Sequence, residues 1–329
     1  MANNDFVISS RVRIARNVDG YPFVNKLNDK QASEIASNAY GAINKDKAYE
    51  FKSISNMSDS EIGRAKERNL ISSYLTKNPF GSLILKKDES VAVMVNELDH
   101  IVITATEQGL NLEKAYKVAE QIETALEGKF KFAYSDKLGY LTSSPSLVGT
   151  ALKVSVKMFL PALHLTSSLS EVSSALSRIN ISLKATANND TSNGYIYEIS
   201  SLHTLGVSEK DIIDKVTNAV NSVASYEEKA REKLFKDNQV DLKDKIMRSY
   251  GIATNCYKMS SSEMLSTLAF VRLGAYYKVL PIADVSVIDT LCLSLMPYSI
   301  SDFKKTGFIN EDERNIFRAS KISQTLKSL

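Results

Sequence analysis

The sequence has few of the residues from which metal centres and disulfide frameworks are built. It contains 2 cysteines, 3 histidines and no tryptophan among its 329 residues. Cys256 and Cys292 are not spaced as a metal-binding pair and do not suggest a disulfide framework, so we expect a reducing, cytoplasmic environment. The histidines, which have no second ligand at helical spacing, are His100, His164 and His203. We therefore predict that the protein has no metal site of its own.

Long hydrophobic runs and a strong charge of either sign are also missing. No apolar run approaches the roughly 18 residues that a membrane-spanning helix needs. The first residues, MANNDFVISSRVRIAR, lack the apolar segment of a secretion signal. Lysine and arginine number 41 against 38 aspartate and glutamate residues, a balance too even to indicate a nucleic acid or an anionic membrane as partner. With 43% hydrophobic residues, the chain is expected to form one large core or two moderate ones.

Residues 1–230 show a mixture of strand and helix patterns. Alternating and β-branched runs predict strands at Phe6–Ser10, Ser82–Leu85, two places within Ser90–Thr106, Ile181–Ala185 and Tyr195–Ser201. Apolar residues at three-to-four spacing predict helices at Asn111–Gly128 and Ser168–Ile179. A Ser-x-x-Asp cap at Ser208 begins a very long helix. These patterns predict an α+β domain over residues 1–230.

Residues 231–329 show helical patterns alone. The helical segments are Leu242–Tyr250, Ser260–Val279, Ala283–Leu295 and Asn310–Lys327. Short breaks are predicted at Gly251, Pro281 and Pro297, because glycine and proline interrupt helices most strongly. We therefore predict a second, all-helical domain over residues 231–329.

Two arginines close to the start of the chain are candidates for binding an anion. In SSRVRIAR, Arg11 and Arg13 are two residues apart, so both side chains leave the same face of an extended backbone. Their guanidinium groups would repel each other unless an anion or carboxylates lay between them. A polyphosphate suits this geometry, because guanidinium groups bind phosphate oxygens in pairs. The alternative is that both are surface arginines whose charged ends are solvated.

Several short segments occur together in an order typical of one enzyme family. They are SSRVR, NELDH, GYLTSSPSLVGTALKVSV, FLPAL, TLGVSE, MRSYGI and VRLG. On these segments the chain resembles the ATP:guanidino phosphotransferases, specifically the bacterial protein-arginine kinases of the McsB type. The resemblance implies an eight-stranded antiparallel sheet flanked by helices, with arginines that hold the ATP phosphates and two glutamates that orient the substrate guanidinium. It also implies that the all-helical C-terminal domain mediates dimerisation.

The chain departs from this family at the positions that carry the chemistry. The family loop NEEDH reads NELDH here, so Leu98 occupies the position of the glutamate that aligns the guanidinium. Val102 occupies the position of a phosphate-binding arginine that follows this loop. Glu97 or Asp99 is the alternative carboxylate, but neighbouring residues on an extended loop point to different sides, and a misplacement of about 1 Å can cost roughly 10²-fold in rate.

The loop YLTSSPSLVGTALK keeps the shape of the family's active-site loop but not its reactive residues. Pro145, Gly149 and Thr150 remain, whereas Ser144 occupies the position of a reactive cysteine. No base next to Ser144 in the sequence would activate its hydroxyl. Lys153 replaces another phosphate-binding arginine, which keeps the positive charge but loses the planar fork of donors.

The family segment RGxYGE, placed by the YEIS strand that follows it, corresponds here to LKATAN. Leu183 then replaces an arginine, and Asn188 replaces the second guanidinium-orienting glutamate. Lys184 is predicted to lie on the opposite face of the strand, away from the phosphates, because successive strand residues alternate. The alternative for ANNDTSN is a polar turn without a binding role.

In the helical domain the resemblance implies a site for phosphoarginine. The family motif RDxxRA reads RNIFRA here, so Arg314 and Arg318 match while Asn315 replaces an aspartate. An asparagine still accepts a hydrogen bond but lacks the charge that strengthens it. The alternative is an amphipathic helix that exposes its arginines to solvent.

These departures predict a cytoplasmic pseudokinase for which we assign no catalytic residue. The positions at which the family's catalytic residues are replaced are Leu98, Ser144 and Asn188. The resemblance leaves Arg11, Arg13 and Lys153 as a residual site for the phosphates of ATP and its Mg²⁺. A third possibility is therefore a protein that binds ATP without transferring its phosphoryl group. The partners implied by the resemblance are an active arginine kinase paralogue, a Clp protease or its adaptors, in a homodimer or heterodimer. The alternative is an active protein-arginine kinase with relocated residues, which requires Glu97, Asp99 or Asp190 beside the cationic residues.

Overall fold

The computed structural model describes residues 6–186, 194–304 and 310–329. The strands in these residues are β1 (Val7–Arg16), β2 (Tyr49–Ser53), β3 (Ser82–Lys86), β4 (Val91–Val95), β5 (Ile101–Gln108), β6 (Tyr134–Ser135), β7 (Gly139–Tyr140), β8 (Leu152–Phe159), β9 (Ile181–Ala185) and β10 (Ile196–Ser201). The helices are α1 (Asp29–Ile43), α2 (Asp59–Glu67), α3 (Leu112–Glu127), α4 (Pro161–Leu165), α5 (Leu169–Arg178), α6 (Glu209–Asp237), α7 (Gln239–Asn255), α8 (Ser261–Tyr276), α9 (Ser286–Ser294) and α10 (Glu311–Lys327). None of the described helices combines the length and the hydrophobicity needed to cross a membrane.

One large antiparallel sheet organises the first part of the chain. Its eight strands lie in the order β2-β3-β4-β5-β1-β8-β10-β9, whereas β6 and β7 form a separate pair. The first strand of the chain is therefore central, paired with β5 on one side and β8 on the other. The predicted α+β fold and the eight-stranded antiparallel sheet implied by the resemblance are both confirmed.

The two faces of this sheet differ in what covers them. Alternate residues such as Val12, Ile14 and Val154 point into the main core, which α1, α3 and α6 cover. On the other face a smaller apolar cluster, with Ala15 and Val102 in it, lies under the α2 region at one end of the sheet. The rest of this second face carries polar side chains, and the candidate site lies there.

A second core is formed by the helices that follow α6. It contains Leu242 of α7, Leu268 of α8 and Ile322 of α10, and no residue of the main core belongs to it. The predicted domain boundary between residues 230 and 231 falls inside α6, where Ala230 packs against the main core and Leu234 against the second core.

Three helices begin with a reciprocal cap in which a side chain and the backbone satisfy each other. Ser208 and Asp211 form the predicted cap of α6. The same arrangement begins α1 at Asn28 and α2 at Ser58. The sequence patterns do not predict α1, α2, β2 or β8, although the two caps were readable signals for the helices.

The helix break predicted at Gly251 is wrong. Helix α7 continues through this residue to Asn255, and a side chain at Gly251 would meet no neighbouring atom. A glycine inside a helix costs only about 1 kcal/mol relative to alanine, which the packing of Leu242 and Ile246 in the second core outweighs.

Candidate functional site

The polar face of the sheet gathers positive charge from three strands. Strand register places five cations on it: Arg11 and Arg13 on β1, Lys153 and Lys157 on β8, and Lys184 on β9. Arg13 lies opposite Lys153, and Glu198 of β10 lies between Lys157 and Lys184. We call this set of residues the cationic face. The structure thus brings the three predicted phosphate ligands, Arg11, Arg13 and Lys153, onto one surface.

The two lysines of β8 are electrostatically strained. Burial, together with the neighbouring Arg11, lowers the pKa of Lys157 to about 8, although Glu198 acts in the opposite direction. Burial also lowers the pKa of Lys153, with Arg11, Arg13 and Lys184 contributing. Within residues 6–186, 194–304 and 310–329, neither lysine has a carboxylate at salt-bridge distance. An anion with several oxygens would relieve this strain.

Carboxylates, rather than solvent, meet the two arginines. The Nη2 group of Arg11 donates to Glu198 Oε2 at 3.0 Å, and its Nε donates to Ser155 Oγ at 3.3 Å. The Nη2 group of Arg13 donates to both carboxylate oxygens of Glu97, at 2.8 and 2.9 Å. These bonds hold each guanidinium in place. Both groups stay accessible to a ligand, because the Arg11 and Arg13 side chains remain 27% and 30% exposed.

Glu97 is a buried carboxylate held beside the cationic face. Its side chain is 1% exposed and accepts hydrogen bonds from Arg13, from the hydroxyl of Ser72 and from the backbone N–H of Leu98. These partners fix the carboxylate in one position. The neighbouring Leu98, at the position of the family's guanidinium-aligning glutamate, leaves its apolar side chain 36% exposed.

Asp99 points away from the cationic face and supports the loops instead. Its Oδ1 accepts from Asn17 Nδ2 at 2.7 Å and from the backbone N–H of Ser143 at 2.6 Å. Of the carboxylates that the relocated-residue alternative requires, the structure therefore places Glu97 beside Arg13 and keeps Asp99 away. Asp190 lies outside the described residues.

His100 is a buried, neutral support of the same turn. Its Nδ1 accepts the backbone N–H of Val18 at 2.9 Å, so the proton sits on Nε2, which donates to the carbonyl of Pro22 at 2.9 Å. Burial lowers the pKa of His100, although Asp99 and the bond to Pro22 act in the opposite direction. This ring therefore has a structural role in the neutral form.

The loops that contain Leu98 and Ser144 are in direct contact. The hydroxyl of Ser143 donates to the carbonyl of Leu98 at 2.7 Å, which brings two of the degenerate positions together. The Ser144 hydroxyl is 2.9 Å from that of Ser146, and no basic group of the described residues is hydrogen-bonded to it. Gly149, at φ +117°, passes the carbonyl of Thr204 so closely that a Cβ would stand 2.3 Å from its oxygen. The shape of this loop is therefore fixed by a glycine that no other residue can replace without rearrangement.

Val102, which stands where the family has a phosphate-binding arginine, is surrounded by apolar side chains. Val102 is fully buried on β5, opposite Ala15 on β1 and Met94 on β4, and belongs to the smaller apolar cluster under α2. This end of the face could not hold a charged side chain without losing that packing.

The predicted orientation of β9 is wrong. Leu183 lies opposite Ile199, which belongs to the main core, whereas Lys184 lies opposite Glu198 on the cationic face. The register of β9 with β10 decides this, and the ungapped placement of LKATAN against the family segment could not reveal it. Asn188 lies outside the described residues, so its predicted role stays a prediction.

Of the predicted phosphoarginine residues, one is completely enclosed. Arg318 of α10 is 1% exposed, and it donates from Nε to the carbonyl of Leu295 and from Nη1 to the carbonyl of Met259, both at 2.8 Å, as well as to Asn315 Oδ1. Burial lowers the pKa of Arg318 to about 10. Arg318 therefore does not lie on an exposed helix face, whereas Arg314 is half-buried.

The sequence patterns do not indicate two further sets of residues, because their partners are distant in the chain. Lys157 and Glu198 carry no motif, and only the pairing of β8 with β10 brings them beside Arg11. Ser72 likewise meets Glu97 through the fold alone. In the described parts of the chain, no group of three or more histidine, cysteine, aspartate or glutamate residues could hold a metal ion.

Comparisons with known proteins agree with the resemblance. The family model described as ATP:guanido phosphotransferase, C-terminal catalytic domain, matches residues 31–230, and the Protein-arginine kinase McsB C-terminal domain matches residues 239–329. The chain is 32% identical to the protein-arginine kinase of Clostridium acetobutylicum, covering 99% of this chain and 98% of that protein. It is also 32% identical to the protein-arginine kinase of Bacillus subtilis, covering 98% and 90%.

Solved structures with the same fold are phosphagen kinases of low sequence identity. A lombricine kinase crystal structure matches with a TM-score of 0.60 at 18% identity, covering 69% of this chain and 67% of that one. The duplicated taurocyamine kinase of Schistosoma mansoni, with bound transition-state analog components, matches with a TM-score of 0.62 at 22% identity, covering 79% and 38%. These likenesses show the fold alone. The full-length matches to curated sequences go further: the chain belongs to the McsB-type protein-arginine kinase family of the ATP:guanido phosphotransferases.

Proposed function

We propose that this family member binds the phosphates of ATP on its cationic face but transfers phosphoryl groups to arginine very slowly, and that it acts as a regulatory or scaffolding partner. The observation that carries the proposal is the exposed Leu98 beside the Arg13–Glu97 pair. The position that should present a carboxylate to a substrate guanidinium presents an apolar side chain instead.

The physical argument rests on how phosphoryl transfer is catalysed. The protein contributes positioning and electrostatic stabilisation rather than covalent chemistry. A missing acid or base typically costs about 10² to 10⁴ in rate, and a missing charge contact about 10² to 10³. Such losses are not additive when residues act as a unit, so we expect a loss of several orders of magnitude without summing them.

Glu97 is a poor substitute for the missing glutamate. Arg13, Ser72 and the N–H of Leu98 already use its oxygens, and its side chain is 1% exposed. A guanidinium substrate would have to displace these partners before it could be aligned. Ser144 does not replace the reactive thiol either, because its hydroxyl is hydrogen-bonded to that of another serine, Ser146, rather than to a base.

Phosphate binding is supported by the cations that remain. Lys153 and Lys157 have lowered pKa values because they are buried near other cations. A polyphosphate placed over β1 and β8 would be attracted to these lysines and to Arg11. ATP supplies the phosphates and carries Mg²⁺ with it, so no acidic metal site on the protein is required for binding.

The decisive experiment is a kinase assay. The purified protein is incubated with ATP, Mg²⁺ and an arginine-rich protein, and acid-labile phosphoarginine is measured beside the 32%-identical enzyme of Bacillus subtilis. We expect a rate at least about 10²-fold below that enzyme. A comparable rate would instead support the alternative, an active protein-arginine kinase, which the names of the relatives and the nearness of Glu97 to Arg13 favour.

A matched pair of substitutions locates the loss. Leu98→Glu returns a carboxylate to the exposed position, and Leu98→Gln has the same length without the charge. We expect phosphoarginine formation to rise in the first variant and to stay at the parent level in the second. Equal rates in both variants would show that Leu98 is not the reason for low activity.

ATP binding is tested separately by thermal shift. A ligand at a hundred times its Kd stabilises a folded protein by about 2.7 kcal/mol. We expect a shift that shrinks in a Lys153→Met plus Lys157→Met variant. These lysines are better targets than Arg13, whose removal would leave the buried Glu97 without its charge partner.

The proposal extends to partners and to the helical region. We propose a cytoplasmic complex with an active arginine kinase paralogue, a Clp protease or its adaptors, in homodimeric or heterodimeric form. In it, Arg314 and Asn315 receive phosphoarginine, while the enclosed Arg318 holds Asn315 in place. Calorimetry with free phosphoarginine tests the last part. We expect binding that weakens in Arg314→Ala and tightens in Asn315→Asp, because a carboxylate adds charge to the hydrogen bond.

A further inference from the structure

Helix α2 is docked onto the C-terminal helical region by a carboxylate. Glu67, at the end of α2, accepts the backbone N–H groups of Tyr298 and Ser299 at 2.9 and 2.8 Å, and also the Ser299 hydroxyl at 2.9 Å. These donors belong to the beginning of the 3₁₀ turn Ser299–Phe303. Glu67 thus satisfies the N-terminus of a turn that lies more than two hundred residues later in the chain.

Two arginines of the same helix complete this contact. Asp302 Oδ2 accepts from Arg64 Nε at 3.0 Å and from Arg68 Nη2 at 2.6 Å. The other side of each guanidinium donates to Glu89, at 2.9 Å from Arg64 and 2.7 Å from Arg68. The two arginines therefore bridge the turn between β3 and β4 to the C-terminal region. Single exposed ion pairs contribute little to stability, but a network in which each guanidinium bridges two carboxylates holds its members in place more firmly.

Backbone packing adds to these polar contacts. Gly63 of α2 lies under the ring of Tyr298, and a Cβ at this position would stand 2.4 Å from Cγ of that ring. Ser299 and Ile300 are fully buried, and Ile300 belongs to the second core. The position of α2 is therefore fixed by a segment that is itself part of the folded C-terminal helices. We call this contact the α2 junction.

The chain leaves the α2 junction and runs directly to the candidate site. After α2, Leu70 and Ile71 are buried in the smaller apolar cluster of the sheet. The next residue, Ser72, donates its hydroxyl to Oε1 of Glu97 and accepts the backbone N–H of Leu75 at 3.2 Å. Glu97 in turn holds Arg13. An unbroken series of contacts thus leads from Asp302 to the cationic face.

We propose that Glu67, together with Arg64 and Arg68, is a positioning residue for Glu97. The docked residues 298–302 hold α2, α2 holds the loop that carries Ser72, and Ser72 fixes one oxygen of the Glu97 carboxylate. The C-terminal helical region is thereby a structural component of the site on the sheet. This inference concerns geometry alone and does not depend on whether ATP binds or is consumed.

Hydrogen exchange measured by NMR tests the proposal at two reporter amides. The N–H of Leu75 bonds to Ser72, and the N–H of Leu98 bonds to Glu97. In Asp302→Asn and in Glu67→Gln, we expect both amides to exchange about tenfold faster, a change of about 1.4 kcal/mol. The amide of Val154, inside β8, is the internal reference and should keep its wild-type rate.

Two controls separate positioning from general loss of stability. Asp302→Glu keeps the charge between the arginines and should restore slow exchange at Leu75 and Leu98. Asp312→Asn removes a solvent-exposed ion pair with Lys258 in the same helical region and should leave both rates unchanged. Wild-type exchange at the reporters in Glu67→Gln and Asp302→Asn would overturn the proposal. Equal acceleration at Leu75, Leu98 and Val154 would also overturn it, because the effect would then be global.

Discussion

Among the places where this protein holds arginine beside glutamate, two treat the charges in opposite ways. Between α4 and α6, Arg231 is 1% exposed and donates from Nε to Glu227 at 2.7 Å. The protein supplies further partners to both residues, since Glu227 accepts the backbone N–H groups of Ala162 and Leu163 at 3.0 and 2.9 Å and Arg231 Nη2 donates to the carbonyl of Phe159 at 3.3 Å. The Arg231 guanidinium lies 4.4 Å from the Tyr276 ring centroid. This pair is closed.

On the cationic face the same residue types are left open. Arg11 and Arg13 are each paired with one carboxylate, yet both remain partly exposed. Lys153 and Lys157 add positive charge beside them that Glu97 and Glu198 do not balance. The difference teaches that ion pairing alone does not identify a binding site. A buried pair whose hydrogen-bond partners come from the protein stabilises the fold. Accessible positive charges that no protein carboxylate balances can still bind an anionic ligand.

The largest effect that would sharpen this comparison is expected at the closed pair. Glu227→Gln keeps the shape of the side chain but leaves the buried Arg231 without its counter-charge, and we expect the free energy of unfolding to fall by about 3 to 5 kcal/mol. Urea denaturation measures this. Asp214→Asn, which breaks the exposed pair with Lys210, is the matched control and should leave the midpoint unchanged. A small effect at Glu227 would contradict the closed-pair interpretation.

Replacing Arg11 and replacing Arg13 should lower the free energy of unfolding by different amounts. Arg13→Met leaves Glu97 buried without a cation, so we expect a loss of about 2 kcal/mol in unfolding free energy, less than for a fully buried pair because Arg13 is partly exposed. Arg11→Met should cost under about 1 kcal/mol, since its partner Glu198 keeps contact with water. Equal losses in the two variants would show that burial of the partner carboxylate is not what matters here.

Lys157 provides a chemical probe of the open face. With a pKa of about 8, about half of its amines are neutral at pH 8, against under about 1% for an ordinary lysine. We expect an amine-acylating reagent at pH 8 to modify Lys157 about tenfold faster than the exposed Lys45, partial burial offsetting the rest of the difference. Peptide mass spectrometry over a time course measures both rates. ATP should slow the reaction at Lys157 and not at Lys45.

The smallest effect is expected from His100, which lies with Glu97 in the turn between β4 and β5. Burial lowers its pKa in the folded state, so the unfolded chain binds more protons at this residue below its ordinary pKa of about 6.5. The contribution of the neutral ring is therefore present above that pH and lost as the pH falls. Unfolding free energies measured from pH 7.5 to pH 5.5 should decrease, with Asp99 opposing the change through its charge. His100→Asn, which keeps an acceptor for Val18, should flatten the slope.

Local patterns were enough to predict several elements of the fold. The Ser208 cap predicted the start of α6, and the apolar spacing of residues 111–128 predicted both ends of α3 to within one residue, because both signals act within a few residues. The same local signals fail at Gly251, where packing in the second core overrides a weak helix former. The α+β class and the sheet followed from the resemblance rather than from any single pattern.

The candidate site was predictable only where motif and strand alternation coincide. Arg11 and Arg13 share a face because they are two apart on β1, and a local rule suffices for that. The partners of these arginines, Glu97 and Glu198, come from distant strands, and sequence spacing does not encode which carboxylate meets which guanidinium. Lys184 was misplaced for the same reason, since the register between β9 and β10 decides its face.

The central place of β1 also constrains how the chain is made. Its neighbours in the sheet, β5 and β8, end at Gln108 and Phe159, so a ribosome adding roughly 5–20 residues per second completes β8 on the order of ten seconds after β1. During that time Val12 and Ile14, which are later buried, lack the strand β8 beside them and the helix α6 that helps to cover them. The strand synthesised first thus becomes the middle of the sheet only when nearly half of the chain exists, and newborn chains interrupted before Phe159 should be a preferred substrate for chaperones.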